Sequence, residues 1–207
     1  HQDRQRRAGH GIQTQPCQLL FGEGEERRHQ VLVAELHLVD LDADQRLEAP
    51  AALAPELAAV ALTLCDHDTQ LWLDPALAES DAVAAWLRFH TAAPLTTDPT
   101  SAQFALLSDV AALPRLERFA LGSDEYPDRS TTIALLLPAL SGGPDLTLRG
   151  PGVDDHIHIA PLGLPADFVA QWGGNRELSP RGIDLLLLAG GKVIGLPRST
   201  RITLEAH

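Results

Sequence analysis

The sequence contains no methionine, even at position 1. Its sixteen basic residues are fifteen arginines and one lysine, Lys192. Pyridoxal phosphate chemistry needs a lysine to form a Schiff base in a partly desolvated pocket. Lys192 follows Gly190-Gly191 in an expected exposed turn, which argues against that cofactor. Cysteine is scarce: Cys17 and Cys65 are the only two. One pair in a chain of 207 residues makes no disulfide framework. Cys65 reads as a small buried hydrophobe on a helix. Aromatic residues make up 4% against 44% hydrophobic overall, so the core must be built of Leu, Val, Ile and Ala. No run reaches the ~18 apolar residues that cross a membrane. Positive charge is short too, with a net charge of −12. That disfavours a nucleic-acid footprint, which needs clustered basic residues. It leaves open a phosphate-bearing ligand, since one well-placed arginine can hold one. The start resembles no signal peptide. The expectation is a reduced, cytoplasmic protein. The missing initiator points to a processed, trimmed or partial chain.

The local patterns predict one α/β domain with a mixed sheet, several hairpins and covering helices. Residues 1–50 are polar and weakly patterned, and are expected to form a poorly packed arm. Only Val31 to Leu41 alternates there like a strand. Residues 51–207 form the domain. Pro55 opens a helix where its missing N–H costs nothing. Leu57, Val60, Ala61 and Leu64 give that helix an apolar face. Asp66-His67-Asp68-Thr69 breaks the pattern, and Leu71-Trp72-Leu73 resumes as a buried strand. Ser80 is a fair N-cap for a helix carrying Val83, Trp86, Leu87 and His90 on one face. Phe104 to Leu107 is a strand. A short helix is expected within Val110 to Leu121. Thr131 to Leu140 is a strand run, which Ser141-Gly142-Gly143-Pro144 and Leu146-Thr147-Leu148 extend into a predicted hairpin. Ile157 and Ile159 alternate with His156 and His158. Pro165 starts a helix through Phe168, Val169 and Trp172, which Gly173-Gly174 should close. Ile183 to Ala189 and Lys192 to Leu196 flank Gly190-Gly191 as a second hairpin. Ile202 and Leu204 lie on a last strand.

Several constellations could carry chemistry. Asp66, Asp68 and Thr69 sit between two apolar elements, as a turn that satisfies its own backbone or as a ligand site. Asp66 and Asp68 with His156 and His158 have residue types suited to a metal. Arg88 and His90 close a helix, where the dipole favours positive charge. Arg198 and Thr200 stand at a strand end. There Arg198 either binds an anion or pairs with a carboxylate such as Asp184. No nucleophile elbow, dinucleotide fingerprint or His-Glu-x-x-His is present.

Five motifs in register resemble a known family. They are Leu62-Thr63-Leu64 with Asp66-His67-Asp68-Thr69 and Leu71-Trp72-Leu73; Leu87-Arg88-Phe89-His90-Thr91 with Ala93-Pro94-Leu95; Leu140-Ser141-Gly142-Gly143-Pro144 with Gly150-Pro151-Gly152; Gly182-Ile183-Asp184; and Leu196-Pro197-Arg198-Ser199-Thr200. Together they are similar to the PhnH family, a subunit of bacterial carbon–phosphorus lyase, from about Ala54 to Leu204. The resemblance implies a fold like the large domain of pyridoxal-phosphate-dependent transferases, without the cofactor. It implies a homodimer, or a place beside the G, I and J subunits. It further implies assistance in making alpha-D-ribose 1-methylphosphonate 5-triphosphate from ATP and methylphosphonate. No catalytic residue is carried over. Asp66, Asp68, Thr69, Arg88, His90, Arg198 and Thr200 remain candidate ligand or interface residues. The first fifty residues and Leu178-Ser179-Pro180 depart from the family pattern. The alternatives are a free-standing metal-dependent enzyme using Asp66, Asp68, His156 and His158, and an anion sensor built on Arg198.

Overall fold

A computed structural model describes residues 48–150, 153 and 155–205, and the backbone alone of 33–35. Most of the expected N-terminal arm lies outside the described residues. Within it, Val33–Glu35 forms β1, a piece of the strand predicted over Val31 to Leu41. Next come α1 (Pro55–Leu64), β2 (Leu71–Leu73), α2 (Pro75–Ala78), α3 (Asp81–Thr91), β3 (Leu95–Thr96), β4 (Phe104–Leu107), β5 (Thr132–Leu136) and β6 (Leu146–Arg149). The chain ends with β7 (Ile157–Ile159), α4 (Phe168–Glu177), β8 (Asp184–Ala189), β9 (Lys192–Leu196) and β10 (Arg201–Leu204).

Two sheets result. The larger has the order β1-β9-β8-β5-β4-β2-β3. Its strands β3, β2, β4, β5 and β8 run parallel, while β9 is antiparallel to both β8 and β1. The smaller is antiparallel, in the order β10-β6-β7. The fold is thus mixed α/β, as the sequence predicts.

The parallel strands are apolar on both faces because both faces are covered. Alternation divides them between two cores. Leu71, Leu73, Leu106, Ala134 and Leu188 face a core shared with Leu57, Val60 and Ala61 of α1 and with Val83 and Leu87 of α3. Trp72, Ala105, Leu107, Ile133, Leu135 and Leu187 face the other core. That second core is closed by Phe168 and Trp172 of α4 and by Leu146, Leu148, Ile159 and Ile202 of the small sheet.

Local signals held where the partner lies nearby in sequence. Pro55 is at the start of α1 and Cys65 is its C-cap. The Ser80 side chain accepts the Val83 N–H and caps α3. Gly190 and Gly191 adopt φ of 56° and 72° in the β8–β9 turn, a conformation open to glycine at little cost.

Four expectations need correction. Pro165 does not start α4, which begins at Phe168 after Asp167. The hairpin through Ser141–Pro144 does not form. β5 lies between β4 and β8 in parallel register, and β6 leaves for the small sheet to pair with β7 and β10. The β5 edges are filled by parallel neighbours, so β6 has no place beside it. The short helix within Val110–Leu121 is replaced by two 3-10 turns, Val110–Ala112 and Leu116–Arg118. Pro114 stands between them and cannot donate to a continuous helical ladder. Gly173 and Gly174 do not close α4, which runs on to Glu177. An added Cβ at either glycine would meet nothing within 4 Å, so they lie on the open side. Phe168, Trp172 and Asn175 on the buried side hold the helix.

Candidate functional site

In parallel α/β sheets the natural ligand crevice lies outside the carboxyl ends of the strands, where the strand order reverses. Here the chain passes from β2 to β3 on one side and then to β4 on the other, so the reversal falls between β2 and β4. Asp74 follows β2 and is fully buried. Its Oδ1 accepts the Leu77 N–H at 2.8 Å, which caps α2. Its Oδ2 accepts the Ser108 N–H at 2.7 Å, the Ser108 hydroxyl at 2.8 Å and the Asp109 N–H at 3.3 Å. Asp74 therefore ties the β2 and β4 ends together, and its burial closes it to a ligand.

Beside this tie a cavity of about 760 Å³ opens along the ends of β4 and β5. Ser108, Asp109, Leu137, Arg115, Asp167 and Gln171 line it. Arg115 pairs with Glu117 at 3.1 Å and with Asp167 at 3.6 Å. Gln171 accepts the Leu116 N–H at 3.1 Å. Sequence reading missed this edge. The available signal was a carboxylate directly after a buried strand, followed by proline and helix.

The residues singled out from sequence fall in four places. Asp66, Asp68 and Thr69 form a turn closed on itself. The Thr69 hydroxyl and the Asp68 N–H donate to Asp66 Oδ1 at 2.8 and 3.0 Å. The Thr69 hydroxyl bond, then the Asp68 backbone bond, hold the Asp66 carboxyl below its ordinary range. This is the helix-stop arrangement weighed from sequence. Above it, burial pushes the Cys65 thiol up to about 12, with the Asp66 charge adding to the effect.

Arg88 and His90 are exposed at the end of α3. The His90 ring lies 4.6 Å from Trp86 and 4.9 Å from Phe89, itself 83% exposed.

Arg198 is clamped. Its backbone N–H and Nε donate to Asp184 Oδ1 at 2.7 and 3.2 Å. One terminal nitrogen donates to the Pro127 and Pro180 carbonyls, the other to Ser130 Oγ and Asp184 Oδ2. All five guanidinium donors are engaged within the fold. Of the two roles weighed for Arg198, the carboxylate pairing is the one observed. Thr200 is buried, and its carbonyl accepts the Trp172 Nε1–H at 2.8 Å.

The metal constellation does not assemble. His156 pairs with Asp155 at 2.6 Å, and His158 with Glu205 at 3.1 Å. Among the described residues no group of three or more His, Cys, Asp or Glu could hold a metal ion. The topology explains this: the aspartates end α1 against the large sheet, while the histidines lie at the small one.

The motif around Gly182 also gains a physical reason. Gly182 has φ of +119°, and a Cβ there would lie 2.8 Å from Asn175 Oδ1. That oxygen accepts the Ile183 N–H, and the Asn175 amide donates to the Ile183 carbonyl. Only glycine lets the chain enter β8 against this clamp.

These motifs agree with what comparison finds. The family described as "Bacterial phosphonate metabolism protein (PhnH)" matches residues 37–203. The chain belongs to the PhnH family. A relative from Rhizobium meliloti (strain 1021), named "Alpha-D-ribose 1-methylphosphonate 5-triphosphate synthase subunit PhnH", is 50% identical over 156 residues. That alignment covers 75% of this chain and 78% of the relative. A second, from Stutzerimonas stutzeri, is named "Putative C-P lyase subunit protein HtxG". It is 34% identical over 88 residues, covering 42% of this chain and 45% of the relative. The PhnH match includes all five motifs noted above.

Proposed function

We propose that this chain is the H-type subunit of an assembly that breaks down organic phosphonates. It assists formation of alpha-D-ribose 1-methylphosphonate 5-triphosphate from ATP and methylphosphonate. The observation that carries this reading is the 50% identity to a relative named as a subunit of that synthase. Its partners are a second copy of itself and the G, I and J subunits, in the cytoplasm. Among the described residues no helix is long and apolar enough to cross a membrane.

The fold supports a docking role. Large apolar side chains left in water mark interaction sites when they cluster. Phe89 stands exposed beside Trp86, Arg88 and His90 on α3. Of the seven candidate residues, Arg88 and His90 are exposed next to Phe89, which supports an interface at this end of α3. Co-expression with the other subunits, followed by native mass spectrometry, tests the reading. An assembly containing this chain is expected, and Phe89→Asp should weaken it. A wild-type chain that ignores every partner would overturn the subunit role.

A further inference from the structure

The small sheet carries an arrangement that the fold does not explain. β6 and β10 pair so that Arg149 and Arg201 stand directly opposite. Like charges facing across strands are destabilising. Arg176, in the last turn of α4, lines the same cavity of about 460 Å³, together with Ser179, Ser199 and Gly150. Three guanidinium groups thus gather in a chain of net charge −12. The only carboxylate on any of them among the described residues is exposed Asp155, 3.3 Å from Arg149.

Solvated surface arginines would be the ordinary explanation. Two atoms argue against it. Arg176 Nε and Ser199 Oγ are both shielded from water and have no hydrogen-bond partner. A buried donor left unmade costs stability. Two facing cations with a third beside them, and one exposed carboxylate among the three, leave positive charge that an anion can answer. At Gly150 the missing side chain lets the cavity wall run close to the Thr200 backbone; a Cβ there would lie 3.3 Å from Thr200 Cα.

We propose that Arg149, Arg176, Arg201 and Ser199 form a binding site for a phosphate or phosphonate group. A tetrahedral oxyanion suits planar guanidinium forks, which donate two parallel N–H bonds. Two or more negative charges relieve the Arg149–Arg201 repulsion. The anion oxygens accept from the guanidinium groups of Arg149, Arg176 and Arg201 that line the cavity. The inference rests on the small sheet and α4, not on the subunit reading, and stands or falls without it.

The test uses the full chain. Thermal melting is followed with inorganic phosphate, methylphosphonate and ATP, each against chloride at matched ionic strength. A saturable rise in Tm above the chloride control is expected. Stronger binding of ATP than of phosphate would assign the site to a polyphosphate chain; stronger binding of methylphosphonate would assign it to a phosphonate. Arg201→Gln and Arg176→Gln should each weaken binding about tenfold or more, the loss of a charge-assisted hydrogen bond. Arg201→Gln should melt no lower than the wild type without ligand, since it removes a repulsion, so lost binding cannot be blamed on misfolding. No rise above chloride with any of the three anions would overturn the site. So would a rise left unchanged by both substitutions.

Discussion

The two sheets treat their polar groups in opposite ways. Around the large sheet three buried or half-buried polar groups are answered from within. Asp74 accepts four hydrogen bonds, Arg198 makes its full set with Asp184, Ser130 and two carbonyls, and Asn175 clamps Ile183. In the small sheet Arg149 and Arg201 face each other, and beside it Arg176 Nε on α4 and Ser199 Oγ before β10 lack partners. Satisfied networks rigidify a fold, whereas facing like charges leave a charge imbalance that a ligand can relieve. The large sheet is scaffold, and the small sheet is where a charged ligand would be met.

The sharpest way to break the contrast is Asp74→Ala. It orphans the Leu77, Ser108 and Asp109 N–H groups at once. A loss of about 3–4 kcal/mol is expected by denaturant unfolding, since each buried orphan costs ~1–3 kcal/mol. A loss under ~1 kcal/mol would show that the β2–β4 tie is not structural. Arg198→Gln comes next. Removing one partner of a fully buried ion pair costs about 3–5 kcal/mol. The Arg198 and Asp184 side chains are 16% and 32% exposed, so solvent screening reduces the expected cost to roughly 2 kcal/mol.

Cys65 tests the dryness of the helical layer. Burial raises its pKa from 9.0 to about 12. The folded state keeps the proton while the unfolded state gives it up. This contribution is complete below the ordinary value and is lost as pH rises through about 12. Stability should therefore fall with pH over that alkaline window, and Cys65→Ala should flatten the slope. Alkylation of the Cys65 peptide at pH 8 should need unfolding, which mass spectrometry can follow. The smallest effect belongs to the small sheet. Arg201→Gln without ligand should gain roughly 0.2–1 kcal/mol, the scale of a facing like-charge pair, read as a shift in the denaturant midpoint.

What could be read from the sequence follows the range of each interaction. α1, the Ser80 cap and the β8–β9 hairpin depend on residues a few positions apart, and each formed as its local signal predicts. The failed hairpin shows the limit. Ser141-Gly142-Gly143-Pro144 does turn the chain, but a turn does not say which sheet receives the next strand. The strand itself held the better clue, because β5 is apolar on both faces, as a central parallel strand must be. The Gly173-Gly174 stop failed for a similar reason: tertiary packing of Phe168, Trp172 and Asn175 overrode glycine's poor helix propensity. Arg198 with Asp184 was legible as a pairing. The Asp74 tie needed the β2–β4 adjacency. Arg149, Arg176 and Arg201 carry no local signature, since only the docking of α4 against β10 gathers them.

The most direct test sets the two regions against each other in one titration. The 31P resonance of inorganic phosphate is followed as full-length chain is added, for the wild type, Arg115→Gln at the large-sheet cavity and Arg201→Gln at the small sheet. If the small sheet is the anion-binding region, the wild type and Arg115→Gln broaden the line alike, and Arg201→Gln leaves it sharp. Broadening that survives Arg201→Gln but disappears with Arg115→Gln would contradict this, and would move the ligand to the carboxyl ends of β4 and β5.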